Sequence, residues 1–185
     1  MLRIEMRDMF YGFIRNYAGL GLRAGVSDAN WTHEILGFYS RLGQMLGCYV
    51  QYEWKRFDLV WFWDLAAMTY EKPLLHIEHE NRPNRLDHLI SKVRESMSEN
   101  ILIIAYPDSK SELDRFLEAL TSLLKGMKGS VELLAILDPI FIRDDKHSIT
   151  GYIIKGGKGL VGKLSARRKT TEDEISYAEP VLEER

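Results

Sequence analysis

The sequence has few of the features that mark secreted, membrane or strongly basic proteins. Its 185 residues include a single cysteine, Cys48, so no disulfide forms within the chain and a reducing, cytoplasmic setting is predicted. Its apolar runs are far shorter than the roughly 20 residues of a membrane-spanning helix, so no membrane association is expected. The formal net charge is −2, so the overall charge gives no reason to expect nucleic-acid binding, and any basic surface must be local. With 45% hydrophobic and 28% charged residues, the composition is that of a globular domain.

Hydrophobic periodicity predicts the element order α-α-β-β-β-α-β-α-β followed by a less regular tail. The predicted helices cover 2–17, 31–46, 84–98 and 109–125, and the predicted strands cover 48–55, 57–64, 74–80, 101–106 and 131–137. The first three strands follow one another closely, which favours an antiparallel meander, whereas strands separated by helices favour parallel crossovers. The expected fold class is therefore α/β, with a mixed β-sheet and helices on both faces.

The organisation predicted along the chain is one domain over 1–170, with its core at about 31–140, and an acidic C-terminal tail over 171–185. Within the domain, the segment 151–170 is rich in glycine and contains no acidic residue. Within it, we expect 157–163 to form a flexible basic loop. The basic residues of segment 151–170 include Lys155, Lys158, Lys163, Arg167 and Arg168.

Acidic residues mark the second and third predicted strands. Asp58 lies in Phe57-Asp58-Leu59-Val60, and Glu78 and Glu80 lie in His76-Ile77-Glu78-His79-Glu80. Glu78 and Glu80 point to the same face of their strand, with Cα atoms roughly 6.5–7 Å apart. If Asp58 lies alongside them, three carboxylates converge and raise one another's pKa unless a cation intervenes. Hard divalent ions such as Mg²⁺ prefer oxygen ligands, so the pattern predicts a metal site.

This arrangement resembles the PD-(D/E)XK nuclease superfamily, whose restriction-endonuclease-like core is a helix, a three-strand meander, a helix and a strand. The resemblance covers about 31–106. Asp58 takes the place of the motif aspartate, Glu78 that of the second acid, and Glu34 that of the helix acid found in many members. Glu80 stands where the motif lysine is usual, as in some restriction endonucleases with a Glu-x-Glu strand.

The resemblance implies a divalent-metal-dependent DNA endonuclease that hydrolyses phosphodiester bonds with Mg²⁺ or Mn²⁺. It implies that Glu34, Asp58, Glu78 and Glu80 are candidate metal ligands. The carbonyl of His79 is a further candidate ligand. In some members the catalytic lysine lies on the following helix, and Lys92 then takes that part, with His88 one turn earlier as the other option. The basic segment 151–170 would contact the DNA backbone through phosphates.

Other interpretations remain open from the sequence. Glu78 and Glu80 fit the solvent face of a surface strand, and the replaced lysine fits a catalytically inactive nuclease-fold protein that binds DNA or acts as a scaffold. A zinc site at His76 and His79 is disfavoured because residues three apart in a strand face opposite sides. Segment 157–163 has P-loop spacing but lacks the Ser or Thr that binds Mg²⁺. The tryptophans of the meander indicate core packing or a homodimer contact.

Overall fold

The computed structural model describes residues 4–17, 28–82, 85–127, 130–138, 148–170, 175–177 and 181–184. Within these ranges the helices are α1 (Met6–Tyr17), α2 (Asp28–Met45), α3 (Leu65–Thr69), α4 (Leu86–Glu95) and α5 (Lys110–Gly126). The strands are β1 (Tyr49–Trp54), β2 (Phe57–Phe62), β3 (Leu75–Glu80), β4 (Asn100–Ala105), β5 (Glu132–Leu137), β6 (Ser148–Lys155), β7 (Gly159–Thr170), β8 (Ile175–Tyr177) and β9 (Val181–Glu184). No helix within the described ranges is long and apolar enough to span a membrane.

The strands form one mixed sheet in the order β1-β2-β3-β4-β5-β6-β7-β8, and β9 also pairs with β7. Strands β1, β2 and β3 are antiparallel neighbours, β3, β4 and β5 run parallel, and β6 returns antiparallel to β5. The parallel steps pass through α4 and α5, because a crossover between parallel strands needs a connection long enough to traverse the sheet. The predicted mixed α/β architecture is confirmed.

Helices cover both faces of the sheet, and each face has its own apolar cluster. On the α1–α2 face, the two N-terminal helices pack on side chains that include Leu59, Ile77 and Leu102. On the α4–α5 face, the later helices pack on side chains that include Ile103 and Leu133. The central strands β4 and β5 read as continuous apolar runs because both of their faces are buried.

The β1–β2 hairpin turns through two residues that have left-handed backbone conformations. Lys55 has φ 47° and Arg56 has φ 74°, and the flanking residues Trp54 and Phe57 pair across the turn. A two-residue turn with both φ values positive favours Asn-Gly, because a Cβ is strained in this region. Glu53, with φ 51°, adds a third such residue. The hairpin therefore stores backbone strain immediately before Asp58.

We expect Arg56→Gly to raise the free energy of unfolding by about 1 kcal/mol, since glycine adopts positive φ without steric strain. Urea unfolding measures the change. Arg56→Ala is the matched control, because it removes the same exposed ion pair with Glu95 while retaining the Cβ. A glycine variant no more stable than the alanine variant would contradict the prediction.

The prediction of an irregular, loop-like C-terminal part is wrong for the described residues. Segment 151–170 belongs to strands β6 and β7 apart from the turn at 156–158, and residues 175–177 and 181–184 of the predicted tail are strands as well. Leu164 and Ala166 of β7 are buried against the α1–α2 face, so burial of alternate residues determines the structure despite the many glycines. Because the P-loop-like segment enters a strand rather than a helix, it lacks the helix N-terminus that would bind phosphate.

A short helix follows β2, where the sequence predicts no helix between the strands 57–64 and 74–80. Asp64 caps α3, and its side chain accepts a hydrogen bond from the backbone N–H of Ala67 at 2.7 Å. An aspartate that accepts this bond satisfies an otherwise unpaired donor in the first helical turn. The helix has only five residues, which is too short for hydrophobic periodicity to indicate it.

Candidate active site

Two acids of neighbouring strands lie on the α4–α5 face of the sheet. Leu59 of β2 pairs with Ile77 of β3, and both side chains enter the cluster on the α1–α2 face. Because successive residues of a strand point to opposite faces, Asp58 and Glu78 both turn to the α4–α5 face. Only 2% of Glu78 is exposed, so the interpretation as a solvent-face acid does not hold for this residue.

The carboxylates of these two acids bind the backbone where β2 and β3 separate. Glu78 Oε1 accepts a hydrogen bond from Asp58 N at 3.1 Å, and Asp58 Oδ2 accepts one from His79 N at 2.9 Å. The paired register of the two strands runs from Trp61–Leu75 to Leu59–Ile77. The carboxylates therefore satisfy backbone donors that lie just past the ladder. Each acid is held in place by the backbone of the other strand.

A lysine from α4 joins the two acids. Lys92 Nζ donates to Glu78 Oε2 at 2.5 Å and lies 4.0 Å from Asp58 Oδ1. Leu89 and Val93, its neighbours on α4, are buried in the cluster on the α4–α5 face, which turns this side of the helix to the sheet. The exposed fraction of the Lys92 side chain is 11%, so the ion pair is largely shielded from water. His88, the other sequence candidate, is exposed.

Burial dominates the protonation behaviour of the site. The pKa of Glu78 is raised to about 8: burial is the largest cause, the charge of Asp58 adds to it, and the hydrogen bond and charge of Lys92 oppose both. Burial also raises the pKa of Asp58, while the His79 N–H and the Lys92 charge lower it. Glu78 consequently changes protonation state near neutral pH, as groups at functional sites commonly do.

The other two predicted metal ligands lie elsewhere. The side chain of Glu80, at the end of β3, contacts the residues that directly follow the strand: its Oε1 accepts a hydrogen bond from the Arg82 N–H at 3.0 Å. Glu34 is exposed on α2, a helix that packs on the opposite face through residues such as Ile35. Across the described part of the chain, no group of three or more His, Cys, Asp or Glu side chains is arranged to hold a metal ion. The structure thus brings together Asp58 and Glu78 but not Glu80 or Glu34.

Two carboxylates remain that could hold a hard divalent ion. Asp58 is the more exposed acid, with 31% of its side chain accessible, and its backbone N–H donates to Glu78 Oε1. Mg²⁺ keeps several water ligands and is often bound by one or two carboxylates, so such a pair could supply its protein ligands. A bound ion would compete with Lys92 for Glu78.

The two histidines of β3 are both buried but lie on opposite faces. His76 Nδ1 is 2.7 Å from Ser96 Oγ and its ring stacks on Phe57, whereas His79 lies on the α1–α2 side near Tyr106. Burial lowers the pKa of each imidazole to about 3, so both rings are neutral at ordinary pH. They do not converge on one point, which excludes a shared zinc ion.

The five basic residues predicted to contact DNA do not form one cluster. Lys155 pairs with Glu132 at 3.2 Å and Lys163 with Glu183 at 3.7 Å, whereas Lys158 is exposed in the β6–β7 turn. About 26 Å of strand separates that turn from Arg167, given the rise per residue. Arg167 is exposed on β7, and the side chain of Arg168 lies outside the described part of the chain. Of the tryptophans of the meander, Trp61 is fully buried in the core, whereas Trp54 and Trp63 are half-buried.

A set of hydrogen bonds on the α1–α2 face, across the sheet from the acids, could not be predicted from the sequence. Thr32 of α2 and Tyr106 after β4 both contact the His79 ring, and Asn81 contacts Thr32. No local pattern indicates these contacts, because each joins residues at least 27 positions apart in the chain. Strand alternation alone indicates that His79 does not face the acids.

Comparison of the chain with protein-family models, curated proteins and solved structures finds no match. The function is therefore inferred from the residues of the chain itself.

Proposed function

We propose that the protein is a divalent-metal-dependent DNA endonuclease of the PD-(D/E)XK type, with its catalytic lysine on the helix that follows the third strand of the meander. The observation that carries the proposal is the position of Lys92 Nζ, 2.5 Å from Glu78 Oε2 and 4.0 Å from Asp58 Oδ1. In the motif, a lysine at the position of Glu80 accompanies the two acids. Here a lysine on α4 reaches them instead. A restriction-endonuclease-like topology is part of the same proposal.

Each residue of the site has a role that follows from its surroundings. Asp58 and Glu78 present carboxylate oxygens on one face and would hold Mg²⁺ or Mn²⁺, and the His79 carbonyl is a further candidate ligand. When bound, the ion supplies Lewis acidity toward phosphate oxygens and lowers the pKa of water. Lys92 stabilises negative charge that develops beside the acids, and its mobile protons allow it to act as a general acid or base.

The basic residues on the same side of the sheet support a nucleic-acid substrate. Because Leu164 and Ala166 enter the α1–α2 cluster, Lys163 and Arg167 turn to the α4–α5 face, as Glu78 does. The pairs Glu80–Ala105, Leu137–Thr150 and Ser148–Arg167 place Arg167 toward the end of the sheet at which β3 stops. β3 and β7 are four strand spacings apart, about 19 Å, which corresponds to several phosphates of a single strand.

Metal-dependent cleavage tests the proposal. We expect purified protein to nick or cut DNA with Mg²⁺ or Mn²⁺, and we expect Asp58→Asn and Glu78→Gln each to reduce the rate at least about 100-fold, because each removes charge that holds the ion. Asp87→Asn, on the exposed side of α4, is the matched control and should cleave at the wild-type rate. Cleavage retained by Asp58→Asn would contradict the assignment.

A second candidate function is a catalytically inactive nuclease-fold protein that binds DNA or acts as a scaffold. It is favoured by the close Glu78–Lys92 pair, which neutralises the buried acid without an added ion, and by the position of Glu80 away from Asp58. This candidate predicts salt-sensitive DNA binding and no cleavage with either ion. Calorimetry with Mn²⁺ and a cleavage assay on the same preparation distinguish the two functions.

A further inference from the structure

The imidazole of His79 is held from both sides on the α1–α2 face. Its Nδ1 lies 3.1 Å from Thr32 Oγ1 on α2, and its Nε2 lies 3.0 Å from the Tyr106 hydroxyl after β4. The side-chain amide of Asn81 also donates to Thr32 Oγ1 at 3.1 Å, so Thr32 is tied to two residues of the β3 end. Only 6% of His79 is exposed. Both ring nitrogens of a buried imidazole therefore have partners, which fixes the orientation of the ring.

The backbone of the same residue holds the candidate active site. The His79 N–H donates to Asp58 Oδ2 at 2.9 Å, at a point where the described β2–β3 register has already ended. The direction of this N–H is consequently set by the way the end of β3 is held. The ring lies across the sheet from Glu78 and Lys92, so it does not touch the groups assigned to the reaction.

We propose that His79 is a positioning residue, whose ring, held by Thr32 and Tyr106, aims its own backbone N–H at Asp58 and so sets the orientation of that carboxylate. The proposal rests on the proposed function for its consequence in metal binding, but its structural part does not need it. It assigns α2 a role in the site through Thr32 rather than through Glu34. Partners that orient metal ligands in this way typically change metal affinity by about 10–100-fold when removed.

The partners of the ring allow a conservative test. Thr32→Val and Tyr106→Phe each remove one hydroxyl and little volume, and the double variant leaves the ring without either partner. Tyr39→Phe is the matched control, because Tyr39 lies on α2 in the same apolar cluster and its hydroxyl bonds to Met9 O at 3.4 Å, away from the acids. Amide hydrogen exchange of ¹⁵N-labelled protein without metal reports the His79 N–H directly.

In Thr32→Val and Tyr106→Phe we expect protection of the His79 amide to fall about tenfold relative to the Ile77 amide, since local opening exposes that donor without global unfolding. Tyr39→Phe should change both amides equally. We also expect the Mn²⁺ affinity measured by calorimetry to fall about 10–100-fold in the double variant. Equal changes at His79 and Ile77 in both single variants would overturn the positioning role.

The two proposals fail in different ways. If the wild-type protein binds no Mn²⁺ and cuts no DNA, the nuclease function is wrong, and selective loss of His79 protection would still establish that the ring positions Asp58. If wild-type protein binds Mn²⁺ and cuts DNA while the double variant retains both His79 protection and Mn²⁺ affinity, the nuclease stands and the positioning role is wrong.

Discussion

Lys92→Met is expected to abolish the proposed DNA cleavage and to destabilise the protein by about 3 kcal/mol at pH 8.5, because Glu78 loses the cation that lowers its pKa and must stay buried as an unpaired charge or bind a proton. In the wild-type protein Lys92 Nζ lies 2.5 Å from Glu78 Oε2. In the variant, Glu78 and Asp58 lie near each other with no cation between them. The loss of cleavage should be at least about 100-fold, the usual effect of removing a proton-transfer group. Urea unfolding and a Mg²⁺-dependent cleavage assay measure the two effects.

A double variant separates stability from activity. In Lys92→Met/Glu78→Gln the uncompensated acid is gone, so most of the lost stability should return while cleavage stays absent. Lys125→Met, which changes an exposed lysine in the last turn of α5, is the matched control and should stay within about 0.5 kcal/mol of the wild-type free energy of unfolding. A Lys92→Met variant as stable as wild type at pH 8.5 would show that the pair is not coupled.

Glu78→Gln is expected to remove a pH dependence of stability that wild type has between about pH 4.5 and 8. The pKa of Glu78 is raised from 4.5 to about 8 in the folded protein, so between these values the folded state binds more protons than the unfolded state. The free energy of unfolding therefore falls as pH rises, and the contribution of this group is lost as pH passes through about 8. In the glutamine variant this contribution is absent at every pH.

The measurement compares the two proteins between pH 7 and 8.5. Across this range the wild-type free energy of unfolding should fall by about 1 kcal/mol relative to that of the glutamine variant. His76 and His79, with folded pKa values of about 3, make stability rise with pH mainly below the unfolded value of 6.5, and they do so equally in both proteins. Parallel profiles would show that Glu78 does not titrate in this window.

Local patterns in the sequence were sufficient for much of the sheet. Alternation in β2 and β3 places Asp58 and Glu78 on one face once the strands pair antiparallel, as the predicted meander has them. Continuous apolar runs identified β4 and β5 as buried parallel strands. The same reasoning failed for β6 and β7, because glycine and lysine in segment 151–170 masked the alternate burial of Leu164 and Ala166.

The candidate site divides in the same way. The identity and common face of Asp58 and Glu78 were set by residue type and strand period, which are local properties of the chain. The packing of α4 and α2 against opposite faces of the sheet decided which other groups accompany these acids. Packing of α4 brought Lys92 to Glu78. Packing of α2 left Glu34 exposed to solvent and put Thr32 beside His79, whose ring also contacts Tyr106. Such contacts join distant segments, and their geometry depends on helix position and rotation, which periodicity does not specify.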